Sequence, residues 1–170
     1  MAQYLGAGVF VPENDKPHRE YLEECAKGKL PLQQCTDCNR MRYPVRTHCP
    51  DCRSMGYRWQ PVSGKGTIYS YYIVPHPINP AFRNFAPYPV ALIELDEARG
   101  EYGEHRALRV IGNLLGPDGK PEAREQVAIG KRVEVTFIDL GDGWGLPQWK
   151  LSGEPDEHAP WQIPHTHPPQ

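Results

Sequence analysis

The sequence has no apolar run near the roughly 20 residues that a membrane-spanning helix needs, so no bilayer span is expected. Its first stretch, MAQYLGAGVFVPENDKPHRE, lacks the basic start and long apolar core of a secretory leader, and the cytoplasm is the expected compartment. No phosphate-binding loop, GxSxG elbow, GxGxxG turn or HExxH helix occurs. The seven histidines, at 18, 48, 76, 105, 158, 165 and 167, form no spaced set with an acid that suggests a triad. His165 and His167 fall in a Pro-rich tail, where a solvated linker is the plain reading. Long helices are lacking too, because 19 prolines and 16 glycines cut the 170 residues into short pieces. The net charge of −2 does not suit a chain that binds polyanions along its length. A self-contained active site is therefore not expected.

What is present is concentrated in QQCTDCNRMRYPVRTHCPDC, residues 33–52, which holds four of the five cysteines. Their spacing is Cys35-x2-Cys38-x10-Cys49-x2-Cys52. Each CxxC forms a tight knuckle that aims two thiolates at one point, and two knuckles supply the four soft ligands of a tetrahedral Zn²⁺. An iron centre of rubredoxin type would use the same donors. Neither clamp is followed by His, which excludes haem attachment, and no βαβ pattern surrounds them as in a thioredoxin-like pair. Four thiolates close the coordination sphere and leave no position for water or substrate, so such a site folds a segment and does not catalyse. His48, beside Cys49, is a poorer ligand candidate than the four thiols. Cys25 lies out of register with both clamps and reads as a small buried apolar residue.

Around the clamps, residues 1–16 show little periodicity and form an N-terminal arm, followed by a helix over 17–31. Pro17 stands where a first-turn proline belongs, and Lys27, Gly28 and Lys29 mark the helix end. A zinc ribbon occupies 32–62. From Gly64 the chain reads as strands: TIYSYYIV, YPVALIELDE, HRALRVIGNLL, RVEVTFIDL and LPQWKL, rich in β-branched and aromatic residues and separated by turn-rich connections. Five short strands over 63–152 fit a Greek-key barrel of the OB type. Residues 153–170 form a Pro-rich C-terminal arm. The expected fold is mainly β: an N-terminal helix, a rubredoxin-like zinc ribbon and a five-stranded OB barrel.

Two surface features stand out. Residues 29–66 carry seven basic side chains against two acidic ones, a local charge of +5 that suits either a solvated face or a phosphorylated ligand. In TIYSYYIV, strict alternation puts Tyr69 and Tyr71 on one face with Thr67 and Ile73, and Ile68, Tyr72 and Val74 on the other with Ser70. Apolar matter on both faces of a barrel strand implies a second covered surface. Phe82, Phe85 and Tyr88 follow in the next loop. Core packing is the bland alternative for all of these.

The segments AKGKLPLQQC, CTDC…CPDC, SGKGTIYSYYIV, PYPVALIELDE and IGKRVEVTF, in that order, resemble the zinc-ribbon-containing OB-fold proteins described as acyl-CoA-associated. The resemblance runs over about residues 17–150. It implies a partner subunit of thiolase-superfamily enzymes, such as thiolases, lipid-transfer-protein-type aldolases or hydroxymethylglutaryl-CoA synthase, with some members joined to hot-dog-fold hydratases. It further implies that the partner carries the catalytic residues, that zinc is structural, and that a coenzyme A thioester is the ligand of the complex. The family strand near 146–150 often ends in a Phe-Pro pattern, whereas this chain reads LPQWKL, and no contact role is carried over there. Arg40, Arg42, Arg46 and Arg53 are then candidates to face the CoA phosphates. Phe10, Tyr69, Tyr71, Phe82, Phe85, Tyr88 and Trp161 are candidate partner contacts. A free-standing module for acyl-CoA or single-stranded nucleic acid is the alternative, because OB barrels bind strands through aromatic and basic residues on one face. Here the basic residues gather on the ribbon instead. An independent CoA-dependent enzyme is the third reading.

Overall fold

A computed structural model of the chain describes residues 2–98 and 107–164; His105, His165 and His167 lie outside these. The N-terminal segment folds into a small hairpin of β1 (Gln3–Tyr4) and β2 (Ala7–Gly8). Helix α1 (Lys16–Ala26) follows, with the Asp15 carboxylate accepting from the His18 N–H at 3.4 Å and a proline in its first turn. It buries Tyr21, Leu22 and Cys25. The helix ends before the expected boundary because Gly28 takes φ +73° and its N–H turns back to the Cys25 carbonyl.

Next come β3 (Leu30–Cys35), β4 (Met41–Arg42) and β5 (Tyr57–Val62), an antiparallel sheet in the order β4-β3-β5. Neither LPLQQC nor YRWQPV alternates clearly between apolar and polar residues, and each contains a proline, so these strands are hidden in the sequence. Pro31 and Pro61 face each other in the register.

The second sheet contains β6 (Lys65–Val74), β7 (Tyr88–Leu95), β8 (Arg109–Asn113), β9 (Arg132–Gly141) and β10 (Trp144–Leu151), ordered β10-β9-β6-β7-β8. The long β6 pairs with β9 through Lys65–Thr67 and with β7 along most of its length. A bridge between Leu114 and Trp149, with the Leu115 N–H donating to the Trp149 carbonyl at 2.7 Å, joins the two outer strands and closes the barrel. This is the five-stranded OB topology. β7 alternates between buried and half-buried residues along its whole length, as a barrel strand should.

The alternation expected for β6 does not hold. Ile68 faces Ile93 and Ser70 faces Leu92, so Tyr69 is the extra residue of a β-bulge. The bulge breaks the period of two. Tyr69 is 47% exposed, whereas Tyr71 packs against the core.

Helix α1 lies across β10 at Gly145, where a Cβ would fall 2.3 Å from the Ala26 nitrogen and 2.5 Å from the Cys25 carbonyl carbon. Only a residue without a side chain lets the helix seat here. Gly145→Ala is expected to cost about 1–3 kcal/mol through overpacking against a backbone that cannot give. Denaturant unfolding checks this, and a wild-type midpoint would show that the helix does not seat on Gly145.

The described residues of both arms, 2–16 and 153–164, are docked. Ala2, Tyr4, Ala7 and Val11 are buried in the common core. At the other end, the buried Arg132 guanidinium donates to both Asp96 oxygens (2.7 and 2.6 Å) and to Glu154 (3.2 Å), while its N–H donates to Asp156 at 2.9 Å. Trp161 and Ile129 then exchange backbone hydrogen bonds of 2.9 and 2.8 Å. Ion pairs and isolated bridges of this kind leave no periodic trace in a sequence.

Candidate functional site

The two knuckles repeat one geometry. In each, the N–H of the residue after the second cysteine donates to the carbonyl of the first: Asn39 to Cys35 at 3.1 Å, and Arg53 to Cys49 at 2.9 Å. The first cysteine's N–H donates to the carbonyl five residues on, at 2.9 Å for Cys35 to Arg40 and 2.8 Å for Cys49 to Ser54. Asn39 and Arg53 both take the left-handed conformation, φ +59° and +65°, that such a turn requires. Cys35 ends β3 and Cys38 lies in the turn that follows it, while the loop after β4 delivers Cys49 and Cys52.

All four sulfurs lie within 4.8 Å of one another. Cys35 and Cys52 are 3.6 Å apart, and Cys38 and Cys49 are 3.7 Å apart. A tetrahedron with metal–sulfur bonds of about 2.3 Å has edges of about 3.8 Å, so the donors fit a zinc ion at their centre. The backbone N–H of Cys38, aided by that of Asp37, draws the Cys35 thiol down to about 6 against the opposing effect of burial. Against the Ser54 N–H, burial and the three neighbouring thiols push that of Cys52 up to about 12, so the four sulfurs titrate as one cluster. Among the described residues, no other group of His, Cys, Asp and Glu side chains is placed to hold a metal. Cys25 is fully buried, and desolvation pushes its thiol up to about 12, which leaves it inert as a nucleophile.

Helix and ribbon are latched by Glu20, whose carboxylate accepts from the Tyr57 hydroxyl at 2.8 Å and the Trp59 indole N–H at 3.0 Å. The four candidate arginines are placed differently from one another. Arg46 and Arg53 are exposed, and Arg40 spans the knuckles to Asp51 at 2.8 Å. Arg42 is only 4% exposed, so its expected role at a CoA phosphate does not stand. Its Nε donates to Gln33 at 3.2 Å, its Nη2 to the Arg46 carbonyl at 3.4 Å, and the guanidinium covers the Tyr57 ring. Gln33, itself buried, also accepts from the Arg46 N–H at 2.8 Å and so shapes the whole 42–46 turn.

The candidate aromatics divide into two places. Phe10, Phe82, Phe85 and Tyr88 gather with Tyr4 around an apolar pocket between the N-terminal hairpin, α1 and the end of the barrel. Tyr4, Phe82 and Phe85 form a mutual ring cluster with centroids 6.0–6.3 Å apart. Tyr4 was not among the candidates, since no local pattern marks it. Elsewhere, Tyr69 lies under the Arg109 guanidinium, 3.5 Å from it, while Arg109 is bonded to Glu94. Tyr71 accepts from the Ile163 N–H at 2.9 Å, beside the docked Trp161 segment. Among the described residues, no helix is long and apolar enough to cross a membrane.

Comparison with known proteins adds three findings. Residues 22–57 match the model of the rubredoxin-like zinc ribbon domain of ChsH2, and residues 59–137 that of the C-terminal OB-fold domain of ChsH2. The chain is 29% identical over 139 residues to a probable enoyl-CoA hydratase alpha subunit of Thermomonospora curvata; this covers 82% of the chain and 39% of that subunit, about two fifths of its length. It is 32% identical over 105 residues, 61% of the chain and 68% of the relative, to a DUF35 domain-containing scaffold protein of Methanothermobacter thermautotrophicus. Among solved structures, it is similar to a chain of the Ltp2-ChsH2(DUF35) aldolase, with TM-score 0.64 and 28% identity over 81% of this chain and 96% of that one.

Proposed function

The chain belongs to the DUF35 family, with the zinc ribbon and OB fold of ChsH2, and from that premise we propose that it is a non-catalytic subunit of a thiolase-superfamily complex acting on acyl-CoA. The observation that carries the reading is its similarity to a chain of the Ltp2-ChsH2(DUF35) aldolase along 96% of that chain's length. The closed four-thiolate centre supports it, since a metal held there braces the ribbon and offers no open position to a substrate. The larger subunit would supply the cysteine and histidine set that Claisen-type chemistry uses.

In this reading Arg46 and Arg53 face the CoA phosphates, with Arg40 held beside them by Asp51. Phe10, 91% exposed, and Trp161, 54% exposed, anchor the larger subunit, with Tyr69 as a further contact. Phe82, Phe85 and Tyr88 line the pocket and are left out of the anchor set. Truncating a buried aromatic anchor costs about 2 kcal/mol of association or more. Contacts to exposed phosphate are screened by salt, so Arg53→Ala should weaken acyl-CoA binding by the complex at low ionic strength and have little effect at high ionic strength. Trp161→Ala should weaken assembly at both.

The test is co-expression with a thiolase-like or lipid-transfer-protein-type chain. The two should co-purify, with turnover in the complex and none by this chain alone. Thiolase, aldolase or hydratase turnover by the isolated chain would overturn the reading. Because 82% of this chain, though only 39% of the probable hydratase subunit, is matched, a hydratase chain belongs in the same capture experiment. Exclusive capture of the hydratase would move the proposal from carbon–carbon bond chemistry to hydration.

A further inference from the structure

The pocket between the N-terminal hairpin and the barrel has features that a subunit contact does not explain. Its volume is about 480 Å³, within the range of about 300–1,000 Å³ that small-molecule sites occupy. Its walls are apolar, with Val9, Leu22, Phe82, Phe85, Val90 and Leu146 among them. No lysine or arginine lines it, and His18 at its rim is paired with Asp15 at 3.0 Å. A phosphate or carboxylate placed inside would therefore lose its hydration without gaining a countercharge.

Three of the polar groups that line the pocket belong together. Tyr4, Asn113 and Gln148 come from three elements: the hairpin, the end of β8 and β10. The Tyr4 hydroxyl accepts from the Asn113 side-chain amide at 2.9 Å, so its own proton is available to donate. Burial raises the Tyr4 pKa and keeps that proton in place. The Gln148 side-chain oxygen accepts from the Asn113 backbone N–H, which leaves the amide nitrogen as a second donor. The buried Tyr21 hydroxyl, which has no hydrogen-bond partner among the described residues, lines the same pocket, so these donors stand among apolar walls that carry no lysine or arginine.

We infer that this pocket is a binding site for an uncharged, predominantly apolar small molecule carrying one carbonyl or hydroxyl group, which the Tyr4 hydroxyl and the Gln148 amide receive. An aliphatic anchor from a protein partner would fill the walls but leave both donors unpaired, at a cost that a carbonyl oxygen removes. The site is formed by this chain alone and does not depend on the partner reading.

The experiment uses the zinc-loaded full chain. The uncharged dye Nile red should bind saturably at one site per chain. Valerophenone should displace it, as should pentylbenzene, which has the same skeleton without the carbonyl, but about tenfold less well because it lacks the hydrogen bond. Both ligands should shift the side-chain amide resonances of Asn113 and Gln148. Tyr4→Phe keeps the ring on Phe82 and should abolish most of the preference for the ketone while leaving pentylbenzene affinity unchanged. Val90→Trp, checked for a native melting curve, should exclude the dye by filling the pocket. Free coenzyme A should not displace it. Non-saturable dye binding, resonance shifts confined to other surfaces, displacement by coenzyme A, or equal affinity of wild type and Tyr4→Phe for the ketone would each overturn the inference. So would occupancy detected only when a partner protein is added.

Discussion

Cys35→Ser and Cys49→Ser are each expected to abolish folding of the ribbon, with metal content falling from about one Zn²⁺ per chain to none. Binding of a structural zinc ion is worth about 10–16 kcal/mol in isolated zinc modules, as much as or more than the roughly 5–15 kcal/mol that stabilises an ordinary domain. The ribbon has little to replace it. Between Leu30 and Val62 the buried apolar side chains are few, chiefly Leu30, Leu32 and Val45 beside the cysteines themselves. The loss should spread, because the ribbon is latched to α1 through Glu20 and α1 rests on β10 at Gly145. Metal analysis together with circular dichroism and thermal unfolding provides the measurement, with Cys25→Ser as the control. Cys25 is equally buried but outside the cluster, so its replacement should lower stability and leave the metal in place. A chelator-stripped protein that keeps its melting curve and still assembles with its partner would remove the claim.

The second large effect is expected at Trp149, the largest fully buried side chain of the barrel. Its backbone joins the two outer strands by accepting from Leu115, and its indole leaves so little room over β8 that a Cβ at Gly112 would fall 2.8 Å from the ring. Trp149→Ala leaves a cavity at the closure and should cost about 3–5 kcal/mol. The indole N–H has no hydrogen-bond partner among the described residues. Trp149→Phe should therefore lose much less, since it removes an unpaired buried donor together with part of the ring. Denaturant unfolding of the two variants gives the comparison. If the alanine variant lost under about 1 kcal/mol, the closure would not depend on this ring.

The parts of the site that could be read from the sequence were those whose physics is local. Two CxxC clamps ten residues apart imply a closed thiolate centre, because the knuckle geometry resides within each clamp. The barrel strands were legible wherever one face is buried and the period of two survives, as in β7. Within β6 it does not survive, because one bulged residue at Tyr69 displaces every position after it relative to the partner strand. The ribbon strands were invisible, since their prolines and glutamines carry no alternation. Gln33, polar and without a local pattern to mark it, is buried, with its amide oxygen ordering the turn from Arg42 to Arg46.

By itself, the sequence determined the identity of the metal ligands, the absence of any recognised catalytic motif, the order of helix, ribbon and barrel, and the concentration of positive charge on the ribbon. Tertiary structure alone decided which of those charges face solvent. Arg42 and Arg53 are equivalent in a list of basic residues, yet one is enclosed by Gln33 and Tyr57 and the other is exposed. It also decided that the described residues of both arms dock, and that Tyr4, Phe82, Asn113 and Gln148 line one pocket. These four are brought together from the hairpin, the loop after β6, and strands β8 and β10. Such a meeting brings together residues 31 to 144 positions apart, and a local pattern of polar and apolar residues carries no record of partners at that distance.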